Sequence, residues 1–165
     1  MYRFGGGGVG GWATLCGAPM AAAAAINLVV PAADVGKLAG ELLGWYCDEP
    51  LPSKKLDAIS KYPNQTQSVA GSPLCHISTT KWCVASRNKE GSPQRKERCG
   101  KLTGDVAAQA VQMLNAYFAG TFKPVYKVSA ATEGCMSCHI GPDSMLQNSY
   151  GKMDCTPCHG DPHRK

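Results

Sequence analysis

The chain has 165 residues, of which 44% are hydrophobic and 18% charged, so it is long and apolar enough to fold around a core. This composition excludes an intrinsically disordered chain. Aromatic residues are few (7%), whereas glycine and alanine are abundant, which favours closely packed helices over a β-sandwich. The formal net charge is +5, with no dense Lys/Arg stripe beyond residues 95–98 and the C-terminal pair.

The predicted elements begin with a glycine-rich opening, residues 5–11, which indicates a close-packed loop. A helix is predicted from about Ala13 to Val30, because Pro31 ends it. Asp34 is expected to cap a second helix that runs to Tyr46. Residues 48–71 contain several prolines and many polar residues, so we expect an irregular connection there.

Two Ser-Pro pairs predict the starts of two further helices. Ser72-Pro73 opens a helix to about Ser86, and Ser92-Pro93 opens the longest helix, to about Ala119. The apolar residues of the longest helix recur at spacings of three and four and form one face, which consists of Cys99, Val106, Ala110, Met113 and Tyr117. From Thr121 onward the sequence predicts a loop-rich segment.

The uncharged run from Trp12 to Ala33 is long enough to span a membrane. However, it is rich in alanine and contains Pro19 and Asn27, so we predict a buried core helix and no membrane span.

Two copies of a haem-attachment motif lie near the C-terminus: Cys135-Met136-Ser137-Cys138-His139 and Cys155-Thr156-Pro157-Cys158-His159. In a CxxCH motif the two thiols add to the haem vinyl groups and the His coordinates the iron. The sequence therefore predicts two haems c per chain. The predicted covalent attachment residues are Cys135, Cys138, Cys155 and Cys158, and the predicted axial ligands from the motifs are His139 and His159.

The alternative for these motifs is a zinc ribbon, because the spacing between Cys138 and Cys155 lies in the range of zinc sites. Four zinc thiolates leave no role for a His directly after the second Cys of each pair, so haem is favoured. Two haems also offset part of the +5 charge, since each carries two propionates. We therefore predict no nucleic-acid partner.

The chain contains four histidines, the number that two haems with His on both faces require. His76 and His163 are accordingly predicted as the remaining axial ligands. His163 follows His159 too closely to reach the other face of the same haem, so we expect it to serve the other haem or a haem of a partner chain. The alternatives are a solvated His163 and a His76 on a helix surface, with Met145 and Met153 as alternative sixth ligands.

Five of the nine cysteines lie outside the haem motifs, an odd number that excludes complete pairing within the chain. Cys75, Cys83 and Cys99 are predicted ligands of an iron–sulfur cluster, and Cys16 and Cys47 are weaker candidates. Eight residues of helix span about 12 Å, so either the helix breaks near residues 76–80 or another cysteine takes part. The alternative is buried thiols with one or two disulfides.

Several stretches together resemble the split-Soret cytochrome c family, within the wider group of Cys-rich redox proteins called C_GCAxxG_C_C. The stretches are residues 8–12 and 15–18, 73–78 and 81–83, 97–103, both haem motifs, and 160–163. The resemblance implies a mainly helical subunit, two closely stacked bis-His haems and an additional iron–sulfur centre. It also implies a homodimer in which one axial His comes across the interface.

The predicted fold class is mainly α: a small helical Cys-rich domain over residues 1–130, followed by a loop-rich dihaem-binding segment over residues 131–165. The predicted function is electron transport between periplasmic redox proteins, and not enzymatic catalysis. The alternative is a small haem-dependent reductase of a nitrogen or sulfur oxyanion, which needs a vacant iron position. Haem attachment takes place outside the cytoplasm, so we expect an export signal to have been removed or to be missing from this chain.

Overall fold

The computed structural model of the chain describes residues 3–145 and 151–160. The chain divides into two units, Met1–Val125 and Tyr126–Lys165. The described part of the first unit contains the helices α1 (Gly17–Val29), α2 (Ala32–Asp48), α3 (Cys75–Ser86) and α4 (Pro93–Phe118). The second unit contains α5 (Ala130–His139) and the short α6 (Thr156–His159).

The core of the first unit lies where α1, α2 and α4 pack together. Leu38 and Leu42 of α2 are completely buried, one helical turn apart, and Tyr46 continues the same row. Burial of a leucine side chain contributes about 1.5–3 kcal/mol. The predicted face of α4 is confirmed in its central part, because Val106, Ala110 and Met113 are buried in the hydrophobic core. The other buried members of this core are Ile26, Val30, Leu38, Leu42, Tyr46, Leu51, Ala70 and Leu102.

The start of α4 agrees with the sequence signal, whereas the starts of α2 and α3 do not. Ser92 caps α4, accepting a hydrogen bond from the Arg95 backbone N–H at 3.2 Å. The predicted cap Asp34 is wrong, because α2 begins after Pro31 and the Asp34 carboxylate accepts a hydrogen bond from the Tyr117 hydroxyl instead.

The predicted cap Ser72 is also wrong, because α3 begins at Cys75, after Leu74. The backbone N–H groups of Cys75 and His76 donate to the carbonyls of Thr14 and Ala13. Residues 13–14 therefore satisfy the first amides of α3, and no side-chain cap is needed there.

The glycine-rich opening extends further than predicted and shortens α1. Ala13 has a φ of 60°, outside the helical region, and α1 begins only at Gly17. Gly17 lies against the backbone of Gly5, where an added Cβ would stand 2.4 Å from the carbonyl oxygen. The predicted close packing of this loop is thus confirmed.

The connection between α2 and α3 is irregular, as predicted, apart from three short elements. Strand β1 (Pro50–Leu51) pairs antiparallel with β2 (Ser68–Val69), with Pro50 opposite Val69. A 3₁₀ helix, Lys54–Ile59, follows β1. Leu56 of this helix packs against Gly104 of α4, where an added Cβ would meet Leu56 Cδ1 at 2.5 Å.

The second unit contains one regular helix of more than two turns within its described residues. Ser129 caps α5 by accepting a hydrogen bond from the Thr132 backbone N–H. The predicted mainly α fold class is confirmed. Of the helices in the described ranges, none combines the length and apolarity that crossing a membrane requires, and α1 has only 13 residues.

Candidate functional site

The first haem motif lies on the C-terminal half of α5. Cys135, Cys138 and His139 stand at positions i, i+3 and i+4, which share one face of a helix. Cys138 is exposed, and Cys135 and His139 are half-buried. A cleft of about 400 Å³ opens beside them and is lined by residues 137–139 and 141–144. Two thiols and an imidazole on one accessible helix face, beside an open cleft, fit a covalently attached haem.

The second haem motif begins at Cys155, directly before α6, and Cys158 is exposed on that helix. The Cys155 thiol is hydrogen-bonded to the Cys135 thiol of the first motif. Burial raises the pKa of Cys155, and the neighbouring Cys135 raises that pKa further. The structure therefore brings together the first cysteines of both motifs.

A polar junction joins the start of α5 to the residue that precedes the second motif. The side chain of Thr132 is completely buried, and its Oγ1 lies 2.9 Å from Asp154 Oδ1 and 3.2 Å from the Met153 carbonyl oxygen. Ser129 Oγ also donates to Asp154 Oδ1. Thr132 precedes Cys135 by one turn, and Asp154 precedes Cys155 by one residue, so the junction sets the two motifs side by side.

The predicted distal ligands are only partly described. His76 lies in the first turn of α3 with an exposed side chain. His163 and the side chain of His159 lie outside the described residues. The alternative ligands Met145 and Met153 are both exposed.

Cys16 and Cys75 flank the contact between the end of the glycine-rich opening and the start of α3. Leu15 and Leu74 form an isolated antiparallel bridge, and the Cys16 N–H donates to the Pro73 carbonyl at 2.9 Å. Burial raises the pKa of Cys16, a hydrogen bond with Tyr46 lowers it, and the nearby thiols of Cys75 and Cys99 raise it again. The structure thus places Cys16 near two of the predicted cluster ligands.

Helix α3 is continuous from Cys75 to Ser86, so it does not break near residues 76–80. Cys75 and Cys83 remain two helical turns apart, roughly 12 Å along the axis. Cys83 is instead a neighbour of Cys99, and burial is the main cause of its raised pKa. Within the described ranges, no three His, Cys, Asp or Glu side chains converge on a point that could hold a single metal ion.

Cys47 packs against the hydrophobic core at the end of α2. Arg95 Nη1 lies 3.9 Å from Cys99 Sγ, which adds a positive charge beside that thiol. No disulfide joins any of the nine cysteines, all of which lie within the described residues.

A buried polar chain runs beside these thiols. The Tyr46 hydroxyl donates to Ser78 Oγ at 2.8 Å, and Arg98 Nη2 donates to the same atom at 2.7 Å. Burial raises the pKa of Tyr46, and the nearby Cys16 raises it further. Arg98 is 2% exposed, and its Nε has no hydrogen-bond partner among the residues that the structure describes.

Sequence reasoning missed Arg98. Arg98 precedes the buried Leu102 by one helical turn and the buried Val106 by two, so it lies on the buried face of α4. A charged residue at such a position was the sequence feature that could have indicated its role. A buried cation with an unpaired N–H, close to several thiols, fits an anionic group such as a thiolate-ligated iron–sulfur cluster.

Comparison with known proteins identifies the family of this chain. The family model described as "Putative redox-active protein (C_GCAxxG_C_C)" matches residues 1–113. This chain therefore belongs to the C_GCAxxG_C_C family.

Among individual proteins, the chain is similar to the split-Soret cytochrome c of Desulfovibrio desulfuricans, with 36% identity over 157 residues. The match covers 93% of this chain and 56% of the relative, so the chain spans little more than half of the relative's length. A solved structure, described as a novel iron centre in the split-Soret cytochrome c from Desulfovibrio desulfuricans, is similar with a TM-score of 0.87 and 34% identity. That match covers 96% of this chain and 68% of the other. These similarities confirm the resemblance found in the sequence.

Proposed function

We propose that this chain is a dihaem c-type cytochrome that carries electrons between periplasmic redox proteins. The observation that carries the proposal is the pair of CxxCH motifs whose first cysteines, Cys135 and Cys155, are in contact. Cys138 and Cys158 complete the covalent attachment of the two haems. When bound, each haem supplies an iron that alternates between the ferric and ferrous states.

The axial ligands in this proposal are the four histidines of the chain. His139 and His159 would ligate the two haem irons next to the attachment cysteines, and His76 and His163 would complete their coordination. The exposed position of His76 supports this role, because its imidazole is accessible to a haem iron. Two saturated irons leave no coordination position for a substrate, which favours electron transfer over a reductase.

The proposal includes close stacking of the two haems. The contact between Cys135 and Cys155 brings one attachment point of each macrocycle to the same place. Stacked macrocycles cover each other's apolar faces, and a second copy of the chain covers their remaining edges. The proposal therefore includes a homodimer in which one axial histidine comes from the partner subunit.

The first unit is proposed to hold an additional iron–sulfur centre. Cys16 lies near Cys75 and near Cys99, and Cys83 lies in the neighbourhood of Cys99. The iron centre named for the similar solved protein supports this assignment. Because Cys75 and His76 are consecutive, a single peptide unit would join the iron–sulfur centre to a haem iron.

One purified, anaerobically prepared sample tests the main assignments. The pyridine haemochrome spectrum should give two haems per chain, total iron should exceed two per chain, and acid-labile sulfide should be present. The reduced protein should not bind carbon monoxide. Zinc in place of haem would contradict the cytochrome assignment, and carbon monoxide binding by the wild-type protein would favour the reductase.

Cysteine variants locate the iron–sulfur centre. Cys99→Ser should lose sulfide and the iron in excess of two, with both haems retained. Cys47→Ala is the matched control and should keep the sulfide, since Cys47 packs against the hydrophobic core. Iron at two per chain without sulfide in the wild-type protein would favour buried thiols without a cluster.

A further inference from the structure

We propose that the buried guanidinium of Arg98 hydrogen-bonds the iron–sulfur centre through its Nε–H and raises the reduction potential of that centre. The inference rests on the proposed iron–sulfur centre and extends it to a residue that is not itself a ligand. Arg98 is 2% exposed, and it belongs to α4 directly beside Cys99.

The hydrogen bonds of Arg98 account for only part of its donor capacity. Nη2 donates to the Ser78 hydroxyl at 2.7 Å and lies 3.3 Å from the Ser78 carbonyl oxygen. Nε is buried and has no partner in the described part of the chain. A buried donor without a partner destabilises the folded state. The arrangement therefore leaves one N–H in position for an acceptor that the protein itself does not provide.

Within residues 3–145 and 151–160, the charge of Arg98 is also without a carboxylate counterpart. The ion pairs found in the described part of the chain are Arg95–Glu90 and Lys101–Asp57, and neither includes Arg98. A buried charge is tolerated when an opposite charge compensates it. An anion that binds in this region would supply the compensating charge.

The groups around the guanidinium identify the kind of anion. Burial raises the pKa of both Cys83 and Tyr46, and the nearby charge of Arg98 offsets part of that rise in each. Tyr46 is in turn hydrogen-bonded to Cys16. The surroundings are therefore thiols and hydroxyls, which are ligands or donors for a thiolate-bound iron–sulfur cluster. Hydrogen bonds to sulfur and nearby positive charge are among the factors that set cluster potentials. Both stabilise the more negative, reduced state, so they raise the potential.

The experiment uses the intact holoprotein and its electron paramagnetic resonance during a redox titration. Ferrous bis-His haems are low-spin and diamagnetic, so the reduced cluster is observed separately from them. Arg98→Gln should lower the midpoint potential of the cluster and alter its spectrum, with both haems unchanged. Lys96→Gln is the matched control, because it removes the same charge from an exposed position on α4, and it should change neither property.

Arg98→Lys keeps the charge and loses the guanidinium N–H, so its potential should lie between those of the wild-type protein and Arg98→Gln. If Arg98→Gln does not fold, the test depends on Arg98→Lys alone. A cluster potential and spectrum of Arg98→Lys equal to those of the wild-type protein would overturn the inference. Unchanged properties in a folded, cluster-loaded Arg98→Gln variant would overturn it as well. Absence of sulfide from the wild-type protein would contradict the proposed iron–sulfur centre itself. This result differs from unchanged properties in the Arg98 variants, which would contradict only the role of Arg98.

Discussion

Thr132 Oγ1 lies 2.9 Å from Asp154 Oδ1, and this contact bridges 22 residues of sequence. Thr132 is completely buried at the start of α5, one turn before the first haem motif, and Asp154 directly precedes the second motif. The register between Cys135 and Cys155 therefore depends on a polar junction that belongs to neither motif.

We expect Asp154→Ala to weaken the splitting of the Soret band while two haems per chain remain attached. The substitution removes the acceptor shared by Ser129 and Thr132 and leaves Thr132 Oγ1 with only the more distant Met153 carbonyl oxygen, at 3.2 Å, as an acceptor between the two segments. The proposed stacking of the haems then loses its fixed register. Absorption spectroscopy, with pyridine haemochrome quantification of the same samples, measures both properties.

Asp154→Asn keeps the oxygen acceptor and should retain the split band, which separates positioning from a general loss of structure. Glu133→Ala is the control for charge, because Glu133 is exposed beside Thr132. An unchanged Soret band in Asp154→Ala would show that the junction does not set the haem arrangement.

His76→Ala should convert one low-spin haem to a species with a high-spin component that binds carbon monoxide when reduced. Loss of the imidazole opens one coordination position on one iron, whereas the other haem stays six-coordinate. The expected binding is up to one carbon monoxide per chain, compared with none in the wild-type protein, and it is measured by optical titration. Thr80→Ala, exposed one turn later on α3, is the control. A low-spin spectrum in His76→Ala would remove His76 from the ligand set.

The ion pair between Lys101 and Asp57 makes the stability of the first unit depend on pH. The hydrogen bond from Lys101 is the main cause of the lowered pKa of Asp57, and the Asn64 backbone N–H lowers it further. Since the pKa is lower in the folded state, the stabilisation is present above the ordinary carboxyl pKa of about 4 and is lost as the pH falls through the folded value.

Asp57→Asn should therefore lower the urea midpoint at pH 7 and reduce its dependence on pH below about 4. The loss at pH 7 includes the cost of leaving the ammonium of Lys101, which is 4% exposed, without its counter-ion. Far-UV circular dichroism follows the unfolding. Glu90→Gln removes an ion pair whose carboxylate side chain is 71% exposed, so it should have a smaller effect. Equal effects of the two substitutions would contradict this assignment.

Gly17→Ala should destabilise the first unit by about 1–3 kcal/mol. Its Cβ would meet the backbone of Gly5, with contacts of 2.4 Å to the carbonyl oxygen and 2.8 Å to the carbonyl carbon. Gly36→Ala is the matched control, because nothing lies within 4 Å of its added Cβ on α2, and it should stabilise by up to about 1 kcal/mol. Thermal unfolding measures both changes. An unchanged stability of Gly17→Ala would show that the backbone of the glycine-rich opening shifts to accommodate the added Cβ at little cost.

The sequence by itself determined the features that depend on residues close together in the chain. The two CxxCH motifs, the Ser92 cap of α4 and the buried face through Val106 and Ala110 are all local patterns, because helix periodicity and capping act within a few residues. The resemblance of the cysteine-containing stretches to the split-Soret cytochrome c family was likewise apparent from the sequence alone.

Only the tertiary structure decided which distant residues meet. The start of α3 depends on the carbonyls of residues 13–14, which no local signal around Ser72 could reveal. Cys16 lies near Cys75 and Cys99, and Cys135 contacts Cys155, because the chain folds these segments against each other. The burial of Arg98 has the same origin, since packing places it beside Ser78 and the thiols, and a helical position alone does not specify what faces it.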